Sequence, residues 1–441
     1  MTKFQWPGTP KVAKYLAIAF IIREIFSFWT GHPFDFELWV RVGYWVAHGA
    51  DPYTPLPPAP GLSFANPFNL INQPSIVYFP VWPLICGGMY LLYTVIGFGD
   101  RFVYYFLLKQ PVIIGDVLLS YALYRLVLRN NERNATWVLK VWTLSPLTIL
   151  ISGVWGMFDS LAMLLSIAAV MTAASMRRGL LSVLAGIIKS IPMIYLLPLT
   201  LGIKGWRKAI FTSIVFGVLL SVVPAYLLHW SFYYIVMALS TSASHSLTTS
   251  MSLWGVVYYI DFEFFNGGMP TYLNIILGSL WIPPTAFMIY YAWKKLGFRT
   301  DKSIVQSLLI CTIVFLLFRT QVNEQYSIYL LSLLAVDVAC WHPERRSTLY
   351  YLMAIVLVYL LMNNYFLIRF ISPVYPNYTS LQANIDSFLG VPRFILQLGS
   401  GVGFSLLALK TLVNMLRDIQ HSSRSVKQFQ QTRQTTKSYE M

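Results

Sequence analysis

Residues 208–229 read KAIFTSIVFGVLLSVVPAYLLH, a run with one cation at its start and no acid. A helix needs about 20 predominantly apolar residues to cross the hydrocarbon core of a bilayer. This stretch meets that length alone. Runs of similar character recur at 11–28, 78–97, 103–127, 137–152, 160–176, 271–293, 303–319, 327–341, 348–368 and 391–416. Only 11% of the 441 residues are charged and 56% are hydrophobic, where a soluble chain carries roughly 25% charged residues. With a mean hydropathy of +0.59, the sequence predicts an all-α, polytopic integral membrane protein whose immediate partner is the lipid bilayer. Its 16% aromatic share suits lipid-facing and interfacial surfaces.

A net charge of +15 raises nucleic acid as a partner. The cations, however, fall in short loops between apolar runs and in the tail after Lys410. That is the distribution of cytoplasmic loops facing anionic lipid, and no nucleic-acid partner is expected. On this basis 125–140, Arg177 and Arg178, 204–208, 294–302, 342–346 and the tail lie inside. The outer side receives 29–77, 153–159, 230–270, 319–326 and 369–390. The alternation fails if 78–97 is a full span, and Pro80 and Pro83 at its start favour a re-entrant segment. The apolar stretch 179–203 is interrupted at Lys189-Ser190-Ile191-Pro192 and reads as two half-helices that dip in and return. In this reading residues 1–416 form one transmembrane domain, with 29–77 as an outer loop rich in Pro and Asn towards its end. Residues 417–441 form a basic cytoplasmic tail without structure. Lys3, Lys11 and Lys14 precede an apolar run with no small-residue cleavage site behind it, which predicts a retained first span. Cys86, Cys311 and Cys340 lack metal spacing and read as small core residues; no metal site is expected.

The candidates for chemistry begin with Asp35, in His32-Pro33-Phe34-Asp35-Phe36-Glu37-Leu38-Trp39, where the chain first leaves the bilayer. Behind it Phe36, Trp39, Val40, Gly43, Val46 and Ala47 recur at helical spacing, predicting a short helix lying in the membrane interface. Asp35 is either a general base beside an apolar chamber or a cap for that helix. Asp159, in Gly156-Met157-Phe158-Asp159-Ser160, carries the same two readings, beside a glycine that lets backbone approach a ligand. Lys189 is costly inside a membrane unless it faces water or an anion; it contacts a phosphate or it snorkels. Arg319-Thr320-Gln321-Val322-Asn323-Glu324-Gln325-Tyr326 is the densest polar run between two spans. Such a set suits a phosphate and a sugar, and a solvated turn has the same composition. Arg23 and Glu24, inside the first span, read as an intramembrane pair or a contact with the site, and His229 and His245 as structural. No P-loop, GxSxG or His/Cys metal pattern is present, which argues against ATP-driven transport and zinc chemistry.

Taken in order, Asp35-Phe36-Glu37-Leu38-Trp39, Gly49-Ala50-Asp51-Pro52-Tyr53, Tyr78-Phe79-Pro80-Val81-Trp82-Pro83, Ser145-Pro146, Gly156 to Ser160, Lys189 to Pro192 and Val322 to Tyr326 carry a family resemblance. The chain resembles the GT-C superfamily of integral membrane glycosyltransferases that use polyprenyl-phosphate sugars, especially archaeal mannosyltransferase-like members and the eukaryotic GPI mannosyltransferase I. The resemblance implies a GT-C-type helical bundle with about 11–13 membrane segments, some re-entrant. It implies transfer of a hexose, mannose first, from a dolichyl- or polyprenyl-phosphate donor to a lipid-linked or glycan acceptor hydroxyl. The active site would face the extracellular or lumenal side of the cell membrane or endoplasmic reticulum, with the C-terminus cytoplasmic.

Asp35 would be the general base, with Lys189 and Arg319 as phosphate contacts. Glu37, Tyr78, Asp159, Asn323, Glu324, Gln325 and Tyr326 would complete the donor and acceptor site. No cofactor is required, because the lipid phosphate is itself the leaving group. One departure stands out. Relatives often carry a paired Asp-x-Asp in the first loop, and here Pro33 replaces the first acid, which puts any metal-bridging model in doubt. The alternative is a multi-span lipid or sugar transporter or flippase. Transporters usually carry two corresponding broken helices in related halves, and this sequence shows one break and no repeat.

Overall fold

The computed structural model describes residues 10–65, 76–96, 99–243, 248–265 and 270–439, and these are helical with no strand among them. Asn66, Pro67, Asn69, Asn72 and Pro74 of the outer loop, and His245, lie outside the described residues. Among the described residues six helices are long and apolar enough to cross a membrane, or seven if Glu132–Thr143 and Pro146–Trp155, bent by 49°, count as one span. The molecule is therefore an all-α polytopic membrane protein.

Full-length spans are fewer than the apolar runs suggest. The run 327–341 forms the 14-residue helix Ser327–Cys340 and the run 160–176 the 13-residue helix Asp159–Met171. Every residue from Ser327 to Ala339 is buried. Hydropathy does not distinguish a helix that faces lipid from one enclosed by protein; this one is enclosed. The run 78–97 forms Val81–Ile96, 16 residues, which reach about 24 Å at 1.5 Å per residue, short of a roughly 30 Å hydrocarbon core. Asp301–Phe318 packs beside Ser327–Cys340 in the same core. Trp206–Leu227 and Tyr272–Leu296 are peripheral, each with 17% of its apolar window buried.

The break at Lys189 is present. Helix Ser175–Ile188 stops there, a tight turn runs Ile191–Tyr195, and a second helix follows over Leu196–Leu201. Pro192 has no amide proton to continue the first helix. The tail differs from expectation: the backbone is helical from Tyr378 to Tyr439. Gln, Lys and Arg are good helix formers, and a helix already nucleated in the preceding span continues through them at little cost. Arg345 fastens this helix, pairing with Asp337 at 2.6 Å and with Asp418 on the other side of its guanidinium.

Candidate active site

Asp35 opens the helix Asp35–Ala47, the element that the spacing of Phe36, Trp39 and Val40 foretells. Its carboxylate does not cap that helix. Oδ2 accepts a hydrogen bond from Trp155 Nε1 at 2.9 Å and lies 3.2 Å from His32 Nδ1. His32 in turn stacks on Trp155, ring centroids 4.9 Å apart, and leans on Phe370 at 5.8 Å. Burial pushes the Asp35 carboxyl up. The hydrogen bond and charge of His32, the Trp155 bond and the charge of Lys189 outweigh it and hold the group below its ordinary value. The side chain keeps 19% of its surface exposed, enough for an acceptor hydroxyl to reach it.

Trp155 is placed by an irregular turn. Leu150–Trp155 is a π-helical segment whose following amide, on Gly156, reaches back to Ile151. Such single turns insert a residue and re-aim the side chains beyond it. Gly156 ends it at φ +87°, and a Cβ there would come within 2.9 Å of the Phe36 ring. Lys109 clamps the two strings of backbone that carry the partners. Its ammonium donates to Thr30 O (2.8 Å), Thr30 Oγ1 (2.9 Å), Gly153 O (2.9 Å) and Val154 O (3.1 Å), fully buried. Thr30 leads into the Asp35 helix, and Gly153 and Val154 lead into Trp155. Behind this lies a second buried ionic centre. Arg23 pairs with Asp116 at 2.6 Å, and Asp116 also accepts from Trp142, Ser152 and Ser160. The partner of Arg23 is thus Asp116, not the adjacent Glu24, which receives Gln110.

Asp159 likewise opens a helix without capping it. Its Oδ2 receives Lys189 Nζ at 2.9 Å, both groups fully enclosed. Lys189 sits over three rings, Phe158 at 4.6 Å, Tyr78 at 5.0 Å and Tyr326 at 5.7 Å. It neither snorkels nor stands as a bare cation. Arg319 donates from Nε to Gln321 O, lies over Phe315 and interacts with Tyr326 and Tyr78. Tyr78 is an electrostatic neighbour of Asp35, Asp159, Lys189 and Tyr326, and Lys189 of the same Asp35, Asp159 and Tyr326. Tyr78 itself is held by Tyr53, whose hydroxyl donates to the Tyr78 carbonyl at 2.7 Å.

The remaining candidates fare differently. Glu37 is turned away: one oxygen pairs with Arg41 at 2.7 Å and the other accepts the Phe64 amide at 2.9 Å, so it pins the loop that follows the Asp35 helix. Glu324 is buried and accepts from Asn363 at 2.8 Å and Asn364 at 3.3 Å. Gln325 is enclosed with Oε1 unpartnered among the described residues, and Asn323 is half-buried. Among the described residues no group of three or more His, Cys, Asp or Glu converges as a metal site. The sequence reading missed His32, Trp155, Lys109 and Phe370. Lys109, a charge inside an apolar run, was the one with a legible signal.

This arrangement, a partly exposed carboxylate in a helical membrane protein with buried cations and phenols beside it, is the candidate active site. A family model for glycosyltransferase family 87 matches residues 90–318, more than half of the chain, and the chain belongs to that family. It is a glycosyltransferase. The match includes Asp159 and Lys189 and ends just before Arg319, whereas Asp35 lies ahead of it. No curated protein matches the chain.

Proposed function

We propose that the chain is an inverting glycosyltransferase that moves a hexose, mannose first, from a dolichyl- or polyprenyl-phosphate donor to a hydroxyl of a lipid-linked or glycan acceptor at the outer membrane face. The observation that carries this is the Asp35 carboxylate, oriented by His32 and Trp155, kept ionised and left accessible beside Tyr78 and Lys189.

Asp35 takes the acceptor proton as that oxygen attacks the anomeric carbon from the face opposite the phosphate. The carbon–oxygen bond to the phosphate breaks, and its electron pair leaves on the lipid phosphate. One base and one displacement give inversion. Arg319 supplies positive charge to the departing phosphate, an effect strong where water is excluded. Lys189, already neutralised by Asp159, fixes the aromatic wall of Phe158, Tyr78 and Tyr326. Asn323, half-buried, would contact sugar hydroxyls in this reading. The basic C-terminal helix lies on the cytoplasmic side.

The test is transfer of radiolabelled hexose from polyprenyl-phosphate donors to total lipid and glycan acceptors by purified protein. Mannose on an acceptor supports the reading. Label that crosses a vesicle membrane without a new glycosidic bond would instead favour a transporter, as would no transfer from any hexose donor.

A further inference from the structure

At the other end of the bundle lies a cleft of about 540 Å³ between two loops, lined by Lys204, Trp206, Trp293, Lys294 and Arg299. It is built rather than incidental. Gly202 touches Phe298 so closely that a Cβ would overlap the Phe298 carbonyl oxygen, and Phe298 is buried in the left-handed region at φ +51°. L-residues avoid that region unless packing enforces it. Three cations line the cleft and no acid does. The nearest acid in sequence, Asp301, is engaged by Arg129 and Asn130, each at 3.3 Å.

The cleft and the Asp35 site are at opposite ends of the same helices. Trp206–Leu227 starts at the cleft, and beyond its far end Ser231 donates its amide to Asp51 of the outer loop at 2.8 Å. Asp301–Phe318 starts beside Arg299 and ends at Arg319. Eighteen residues separate the two by about 27 Å.

We infer that this cleft binds the phosphate head group of an anionic membrane phospholipid, with the acyl chains lying along the two spans that rise from it. Those spans present Phe211, Ile214 and Val218 on one side and Ile282, Phe287 and Tyr290 on the other, all exposed. The cleft therefore continues into lipid-facing surface, which commits it to a lipid and not to a free anion. Trp206 and Trp293, which line the cleft, are of the residue type that anchors at a head-group layer, and Lys294 lies 4.9 Å over the Trp293 ring. Basic pockets between spans are suited to anionic head groups.

The two tryptophans are reporters. The full chain is placed in nanodiscs of phosphatidylcholine containing either bromo-acyl phosphatidylserine or bromo-acyl phosphatidylcholine. The expected result is extra quenching by the serine lipid, lost in Trp206→Phe/Trp293→Phe. In K204Q/K294Q/R299Q the serine lipid should bind weaker by about fivefold for each cation removed, while the charge-retaining K204R/K294R/R299K keeps it. Equal quenching by both lipids, or an excess unchanged in a folded K204Q/K294Q/R299Q, overturns the inference. So does displacement of the lipid by inorganic phosphate at concentrations matching the lipid. None of these readouts depends on sugar transfer, so the cleft and the Asp35 reading fail separately.

Discussion

Asp35 is caught between two opposing effects, burial that favours its neutral form and His32 with Trp155 that favour the ion. His32 is the larger of the lowering influences, which gives a signed prediction. In His32→Asn the carboxyl keeps its proton to higher pH, so the acidic limb of kcat/KM for sugar transfer moves up. A variant that merely loosened the fold would lose rate at every pH and leave the limb in place. Asp35 was legible in the sequence because an acid stands out where a first apolar run ends. Glu37 was misread beside it, and helix geometry says why: residues two apart point about 200° apart around the axis. With Asp35 turned to Trp155 and His32, Glu37 must face elsewhere, and it meets Arg41 and Phe64. His32 went unread because its value lies in a ring stacked on Trp155, a contact across 123 positions that no local pattern encodes.

Elements hold these residues in register. The π turn at Leu150–Trp155 and the Arg23–Asp116 centre beneath it are the framework. Asp116→Ala leaves Arg23 enclosed without its counter-ion, and removing one partner of a buried pair costs about 3–5 kcal/mol; a clear drop in the detergent melting temperature should result. Replacing both partners by apolar residues should recover part of that loss. Gly156→Ala forces a left-handed backbone on a residue with a Cβ, about 1–2 kcal/mol, and drives that carbon into Phe36. Stability and sugar transfer should fall together, since Phe36 adjoins Asp35. Helix positions, the short helix that begins at Asp35 and the break at Lys189 were readable from apolar spacing and Pro192. The π turn was not, because a single inserted residue leaves hydropathy unchanged. Of the two readings for Arg23 and Glu24, a pair or a contact with the site, the mutual pair fails because neighbours in sequence do not face each other on a helix.

On the scale of the whole molecule, the sequence defined a polytopic helical protein but overcounted its full-length spans. The run 327–341 is mostly apolar yet forms a 14-residue helix that lies inside the protein. The two ends of the bundle should be separable by labelling. With Cys86, Cys311 and Cys340 replaced, a membrane-impermeant maleimide added outside should modify Pro58→Cys and spare Lys302→Cys in sealed right-side-out vesicles. Reaction of both from one side would contradict the arrangement. The account rests above all on proton abstraction by one carboxylate in a chamber that otherwise binds donor and acceptor. The most direct measurement is therefore hexose transfer from polyprenyl-phosphate mannose by purified wild type and Asp35→Asn, with donor binding measured on both. The account predicts that Asp35→Asn binds donor as wild type does and loses transfer by about 10²–10⁴-fold, the usual contribution of a positioned general base. Transfer at the wild-type rate by a folded, donor-binding Asp35→Asn would contradict it.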